Sequence, residues 1–438
     1  MALREADPGR SWRLGLLISF GLFCGLLGVL LRNPQLTALA EALGVALGAS
    51  YLLGRYSASQ LVYARRAPRQ ASEDEWIAVE ILVTNSGRLP ACRIEVLDRF
   101  SADALFERVD LIWGLQAGGE HRLLFERPCA RGRGVFPLGP LEVTVSDPLG
   151  VFRFTKTVEL PGSEVVVWPL ALPLRSLGLA QFFAAALSGE GERPRPGPGV
   201  QPLGLREHRA GQPLQRIHWR ASARLGRLVL SERETPALAR LVIALDLEGG
   251  RLRGVGRRSN VELSVRLAAS VLEAAVLAGH ACGLLADGRR PWAVPASGGA
   301  TQRAAVLDAL AHVLPQGQTS IWTLLERASA QADPGACLVL ILPRWFVESG
   351  PLVDALAAWR ARGARIVAFV VDDRSLLAHE WSAPQAPDVA MEVLAQLGIP
   401  ARLVDEALGL ALSSDDPLGG ASPGSGPGSG PGSGREAA

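Results

Sequence analysis

Residues 240–246 read RLVIALD, an apolar run of strand length closed by an acid. The run does not alternate with polar residues, so neither face of such a strand is left for water. That pattern belongs to the inside of a parallel sheet with helices on both faces. The chain downstream continues in the same way. A helical run over Val261–Ala278 is followed by ACGLLAD (281–287), the short PWAVP, and helical patterns at Ala304–Val313 and Trp322–Ala330. CLVLILP (337–343), a helix at Leu352–Arg362, the strand ARIVAFVVDD, a helix near Val389–Leu397 and the short PARLVDE complete the series. Strands alternating with helices predict a mostly parallel α/β domain over residues 236–412.

In open α/β sheets, sites form beyond the carboxyl ends of the strands. Four acids fall there: Asp246, Asp287, Asp372 and Asp373. Asp246 opens D-L-E-G-G, which resembles the D-x-S-x-S of the metal site in von Willebrand factor A domains. A hard cation needs neutral oxygens beside its carboxylate, and here Glu248 and Gly250 stand at the two serine positions. The resemblance implies the von Willebrand A-like fold with a degenerate metal site. Asp246 is expected to cap a turn or helix, and no metal or other cofactor is expected.

Upstream, Leu205–Leu228 reads LREHRAGQPLQRIHWRASARLGRL, with Arg206, Arg209, Arg216, Arg220, Arg224 and Arg227 around one tryptophan and one acid, Glu207. The spacing predicts a helix from Gln215 to Arg224. Arg216, Arg220 and Arg224 would share one face, and Ile217, Trp219 and Ala223 would form an apolar side. Trp219 is expected to pack. Arginine makes bidentate bonds to carboxylates, including those of its own chain such as Glu232 and Glu234. The stretch therefore suits a domain brace or a docking surface. A net charge of +2 over 438 residues argues against a polyanion binder, so nucleic acid is not an expected partner. Residues 171–235 are read as a connecting region.

Between about Glu75 and Trp168 the pattern is one of short strands. WIAVEILVTN, CRIEVLDRF, HRLLFERPC, LEVTVSD and SEVVVWP are separated by turn signals, and together they predict a β-sandwich over residues 71–170. Further upstream, LGLLISFGLFCGLLGVLL (14–31) is uncharged, and RNP joins it to a second apolar run, 36–53. About 18 residues can cross a bilayer core, so residues 1–70 are read as a transmembrane hairpin in the plasma (inner) membrane. The rival reading is a signal peptide, but no small-residue cleavage site follows and the chain leads straight into the second run; a buried helical pair in a soluble domain is the other alternative. Arg4, Arg10 and Arg13 precede the first run, and Arg55, Arg65, Arg66 and Arg69 follow the second; only Arg32 lies between. This asymmetry places both termini and the soluble domains in the cytoplasm. Glu41, near the start of the second run, lies close enough to the interface to reach headgroups.

The five cysteines are scattered without a C-x-x-C, which fits reduced core residues. Lys156 is the one lysine among 45 basic residues. The chain has no G-x-x-x-x-G-K-[ST], no H-E-x-x-H and no G-x-S-x-G, so no catalytic residues are assigned. Residues 413–438, with SPGSGPGSGPGSG at 422–434, have the composition of a disordered tail.

The run L-R-E-x-R-x-G-x-x-x-x-R-I-x-W-x-x-S-A-R, then RLVLSERE and a strand ending in Asp, resembles the signature of the "domain of unknown function 58" family. Arg206, Arg209, Gly211, Arg216, Ile217, Trp219, Ser222, Ala223 and Arg224 carry it. TNSGRLPACRIEVLDRF and RGRGVFPLGPLEVTVSDPLGVFRF are similar to the family's preceding β region, and the hairpin to its anchor. Two positions depart: His208 replaces a tyrosine, and Gln212 an aspartate that would partner the neighbouring arginines. The resemblance implies a membrane-anchored protein with a von Willebrand A-like domain, partnered by a MoxR-type AAA+ ATPase and by a transglutaminase-like membrane protein. The expected function is a non-enzymatic adaptor acting in assembly or maturation of envelope or protein complexes. The alternatives are a divalent-metal-dependent ligand-binding von Willebrand A domain protein and an uncharacterised hydrolase.

Overall fold

The computed structural model describes residues 4–5, 11–103, 109–162, 164–175, 179–188, 195–208, 217–235, 239–249, 252–344, 349–373 and 389–405. The tail at 413–438, together with Arg209, Gly211, Arg216 and Gly250, lies outside them.

Strand β1 (Arg4–Glu5) precedes two long helices, α1 (Ser11–Leu30) and α2 (Pro34–Gln60). Between them Arg32 takes a left-handed φ of 48°. The Asn33 side chain caps α2 by accepting from the Gln35 N–H at 2.9 Å, and Pro34 fills the first turn, where no N–H is needed. The helices pack antiparallel through small residues. A Cβ on Gly28 would lie 2.8 Å from Thr37, one on Gly25 3.5 Å from Ala40, and one on Gly21 3.2 Å from Leu43. Both helices are long and apolar enough to cross a membrane, with mean hydropathies of 2.0 and 1.6 and few buried residues.

Strand β2 (Leu61–Arg66) follows α2 without a break. Then come β3 (Gln70–Ser72), β4 (Trp76–Asn85), β5 (Ala91–Phe100), β6 (Val109–Leu115), β7 (Glu120–Pro128), β8 (Gly134–Ser146), β9 (Arg153–Val158) and β10 (Glu164–Trp168). One sheet has the order β2-β4-β7 and is antiparallel. A second, seven-stranded sheet is built on β8, which pairs with β5, β9 and β10. Their inner faces make one core, with Ile77, Val79, Ile81 and Val83 of β4 against Ile94, Val96, Val143, Val145 and Val165. The period-2 burial of β4 follows from water on its other face. Strands β2, β3, β6 and β9 lie outside the segments whose pattern marks a strand. Among the described residues β6 pairs with β5 alone, and it keeps Trp113 68% exposed, so its pattern does not read as a half-buried strand.

The remaining elements are α3 (Ala180–Ser188), β11 (Arg195–Glu207), α4 (Trp219–Leu225), β12 (Val229–Thr235), β13 (Arg240–Leu245), β14 (Gly254–Val255), β15 (Arg258–Ser259), α5 (Asn260–Leu277), β16 (Ala281–Asp287), β17 (Pro291–Ser297), α6 (Ala300–His312), α7 (Ile321–Ser329), β18 (Cys337–Pro343), α8 (Ser349–Ala361), β19 (Arg365–Val371), α9 (Val389–Gln396) and β20 (Ala401–Val404). Six of these strands build a mixed sheet in the order β17-β16-β13-β18-β19-β20, while β11 with β12 and β14 with β15 form separate two-stranded sheets. β16, β13, β18, β19 and β20 run parallel, and β17 is an antiparallel edge. Leu241, Ile243 and Leu245 of β13 enter a core with Val265, Leu272 and Leu310, while Ala244 enters another with Leu340 and Trp359. Two covered faces explain why 240–246 shows no alternation. The region expected to be a mere connection contributes to the first core through Leu172, Leu174, Leu179 and Phe183, and Phe182 meets Phe369 edge-on at 5.5 Å.

An ionic seam ties the β sheets to the mixed-sheet domain. Arg133, 4% exposed, forks onto Glu262 with two bonds of 2.9 Å and donates to the carbonyls of Leu310 and Val313 at 2.6 and 2.7 Å. Glu73 accepts from Arg266 at 3.0 and 3.3 Å and from the N–H groups of Arg133 and Leu170. Arg257 grips Asp74 at 2.8 and 2.5 Å. Fork-to-carboxylate geometry combined with helix-end carbonyls satisfies the Arg133 guanidinium away from water, while the Arg257–Asp74 pair stays part-exposed.

Candidate functional site

The arginine stretch forms an arm. β11 and β12 pair antiparallel, with Arg206 opposite Leu230 and Glu207 opposite Val229, and α4 lies between them in sequence. The helix begins at Trp219, later than the sequence pattern implied, because His218 is its cap: its Nδ1 accepts from the Ala221 N–H at 3.2 Å. Gly226, at φ 64°, closes the other end in the left-handed region that favours glycine. Ser222 anchors the turn. Its hydroxyl accepts from the Val229 N–H at 3.0 Å and donates to the His218 carbonyl at 3.1 Å. Ile217 and Val229 are buried beneath it.

The opposite side of α4 is open. Trp219 is 66% exposed, so the expected packing role is corrected: the buried apolar residue of this stretch is Ile217. Ala223 is exposed as well. Arg220 and Arg224, one turn apart, are exposed with Trp219, and Leu225 and Leu228 add exposed apolar surface. Arg227 reaches Glu207 at 3.5 Å across the arm. The signature thus separates into residues that hold the turn (Ile217, Ser222) and residues that face solvent (Trp219, Arg220, Arg224). The side chains of Arg206, Glu232 and Glu234 lie outside the described set.

At the carboxyl edge of the mixed sheet the acids shape loops. Asp246 Oδ1 accepts from the Glu248 N–H at 3.3 Å, a turn-capping bond. The segment after it is held to a neighbouring loop, since Gly249 N–H donates to the Gly317 carbonyl and Gly317 N–H to the Leu247 carbonyl, each at 3.1 Å. Asp287 Oδ2 accepts from the Thr319 N–H at 2.7 Å, and Asp372 lies 3.7 Å from Arg344. Asp373 is fully buried. Among the described residues no three His, Cys, Asp or Glu side chains are grouped to hold a metal ion.

The five cysteines are free thiols. Burial pushes Cys129 and Cys282 up to about 12 and Cys337 to about 11, so these three are poor nucleophiles at neutral pH.

Sequence reasoning missed the seam. Glu73, Arg133 and Glu262 are far apart in the chain, and only their convergence reveals a role. The one local signal was Ser259-Asn-Val-Glu262, a capping-box pattern at the start of α5. Ser259 does cap, accepting from the Glu262 N–H at 3.2 Å, while the Glu262 carboxylate receives Arg133.

The family described as "Protein of unknown function DUF58" matches residues 204–381. Those residues belong to the DUF58 family. The DUF58 region begins in β11, takes in the exposed turn of the arm, and runs through β19. No curated protein matches the chain. Among solved structures, the CARDB domain of a Pyrococcus furiosus protein, solved with di-metal ions, is 15% identical over 24% of this chain and 91% of its own, at a TM-score of 0.18. Proximal thread matrix protein 1 from the mussel byssus is 14% identical over 31% of this chain and 38% of its own, at 0.25. Red sea bream transglutaminase is 15% identical over 25% of this chain and 14% of its own, at 0.16. Likenesses at this level carry no argument about this chain's fold or function.

Proposed function

We propose that this DUF58 protein is a membrane-anchored, non-enzymatic adaptor that works with a MoxR-type AAA+ ATPase in the assembly or maturation of envelope or protein complexes. In this reading α1 and α2 cross the inner membrane as a two-span anchor, and the arginines flanking them keep both termini and the soluble domains in the cytoplasm. The paired β sheets act as a β-sandwich spacer. The mixed sheet is a von Willebrand A-like domain with its metal position degenerate at Asp246, Glu248 and Gly250. A transglutaminase-like membrane protein is a second partner.

The observation that carries the adaptor reading is the outward set on α4. A tryptophan 66% exposed beside Arg220 and Arg224 is the residue chemistry of an interaction centre, since Trp and Arg dominate binding energy at protein interfaces. The seven-residue helix is held through Ser222 and the buried Ile217 beneath it, so its outer side chains can change without loss of the fold. Two guanidinium groups select an acidic partner surface.

The test is co-purification of the ATPase with the double variant Arg220→Ala/Arg224→Ala. Capture should fall about tenfold or more, the effect of losing roughly 1.4 kcal/mol of binding, at an unchanged melting temperature. Undiminished capture by the folded double variant removes the docking role from α4.

A further inference from the structure

The last turns of α2 are docked on the β sheets while still within its apolar stretch. Ser50 donates a short hydrogen bond to Asp147 Oδ2, and the Leu149 N–H donates to Ser50 Oγ at 3.3 Å. Tyr51 meets Phe152 and Phe154 edge-on at 5.2 and 5.4 Å. Gly54 is buried so closely that a Cβ there would lie 2.7 Å from Phe154 and 2.9 Å from Asp147. On the other side of the hairpin, β1 pairs with β9, Arg4 opposite Thr155. Both cytoplasm-proximal ends of the hairpin are therefore fastened to one sheet.

These contacts fix the height of the β sheets against the span. A helix needs about 20 residues to cross ~30 Å of hydrocarbon, and counted from Pro34 that distance ends near Leu53. The helix–helix register leads to the same level. Gly28, Gly25 and Gly21 oppose Thr37, Ala40 and Leu43, and extending this series puts Trp12 beside Leu52 and Leu53. Trp12 is 61% exposed with Arg13 lying 5.5 Å over its ring, a pair suited to the boundary between acyl chains and headgroups. The turn 147–150 hangs at the level of Ser50, and its Leu149 side chain is 53% exposed. Arg55, one turn further along α2, is exposed, as is Arg88, whose N–H donates to the Tyr56 hydroxyl at 3.3 Å.

We propose that the β sheets are seated on the bilayer, with Leu149 inserted at the acyl–headgroup boundary and Arg55 and Arg88 against lipid phosphates. The proposal rests on the reading that α1 and α2 span the membrane. It commits to lipid as the occupant because the turn is fastened to the span itself, at a height where water is not the surrounding solvent. The seat makes anchor and sheets one rigid unit.

The experiment uses the full chain, reconstituted in phospholipid vesicles, with Cys92 replaced by serine and a polarity-sensitive fluorophore at Leu149→Cys. Separate samples carry the label at Leu26→Cys in the middle of α1 and at Leu277→Cys, 91% exposed at the end of α5. Phospholipids with a nitroxide at a shallow acyl position should quench the label at 149 several-fold more than that at 277. Mid-chain nitroxides should quench the label at 26. Equal quenching at 149 and 277, with 26 still quenched, overturns the seat and leaves the spans standing. Absence of quenching at 26 overturns the spanning reading and the seat with it. A label at 149 that escapes nitroxide lipid but shifts to the blue with protein concentration assigns the turn to a second copy of this chain and also overturns the proposal.

Discussion

Arg133 shows how one residue can join two domains. Its guanidinium satisfies a carboxylate in the first turn of α5 and two carbonyls at the end of α6, groups that would otherwise meet at the seam with fewer partners. Truncation leaves Glu262 and those carbonyls to find water inside a largely closed contact. Arg133→Ala should therefore cost roughly 3 kcal/mol, the scale for breaking a buried ion pair from one side. The readouts are denaturant unfolding of the full chain and hydrogen exchange at the end of α6, which should speed up. Arg133→Lys should restore little, because one ammonium cannot match a fork. Unchanged unfolding and exchange in Arg133→Ala would show that the seam is held by Glu73 and Arg257 alone. Trp219 teaches the complementary lesson. A lone tryptophan among arginines reads as a core residue by composition, yet the turn that carries it buries Ile217 and Ser222 instead.

Helix α2 serves in two surroundings within a single element. Apart from Gln35, Thr37 and Glu41, its first four turns carry apolar side chains or glycine, and its last turns carry the small residues Ser50, Gly54, Ser57 and Ala58 that the β sheets cover. A small residue at 54 is required by the backbone of Asp147 and the ring of Phe154. Gly54→Leu should overpack this contact by about 1–3 kcal/mol and release the end of α2 from β9. Gly48→Leu, where a Cβ meets nothing within 4 Å, is the control for inserting a leucine in the same helix. Protease cleavage between residues 54 and 61 should accelerate in the first variant alone; equal cleavage of the two would mean that the docking is not held by close packing. Helix α4 illustrates the limit of periodicity at this scale. Over seven residues a 3.6-residue pattern barely repeats, so the choice between buried and exposed faces falls to Ser222 and the strand beside it.

For the whole molecule, the hairpin and the pairing of β1 with β9 place the described N-terminal strand on the same side as the sheets. In the proposed topology the arginine asymmetry puts that side in the cytoplasm. A cysteine at Leu277, at the surface of the mixed-sheet domain, should react with an impermeant maleimide in inverted vesicles and stay unlabelled in right-side-out ones. The reverse pattern would overturn the topology. With Cys92 replaced by serine the native thiols offer little background, since Cys24, Cys129, Cys282 and Cys337 are buried.

Much of this organisation could be read before any coordinates. Runs such as RLVIALD and CLVLILP are apolar because both faces of their strands are covered, and burial of that kind is written into every residue of the run. The apolar stretch of α1 and the alternating β4 are legible for the same reason: the surroundings of each face are uniform along it. The DUF58 signature located the exposed arm, but not which of its residues face outward. Other features depend on groups distant in the chain. The burial of Arg133 requires Glu262, the height of Leu149 requires Ser50, and the pairing of β1 requires β9. Local sequence determines what each segment can bury; only the tertiary structure decides which charges meet, because an ion pair is specified by the distance between its partners and not by either partner alone.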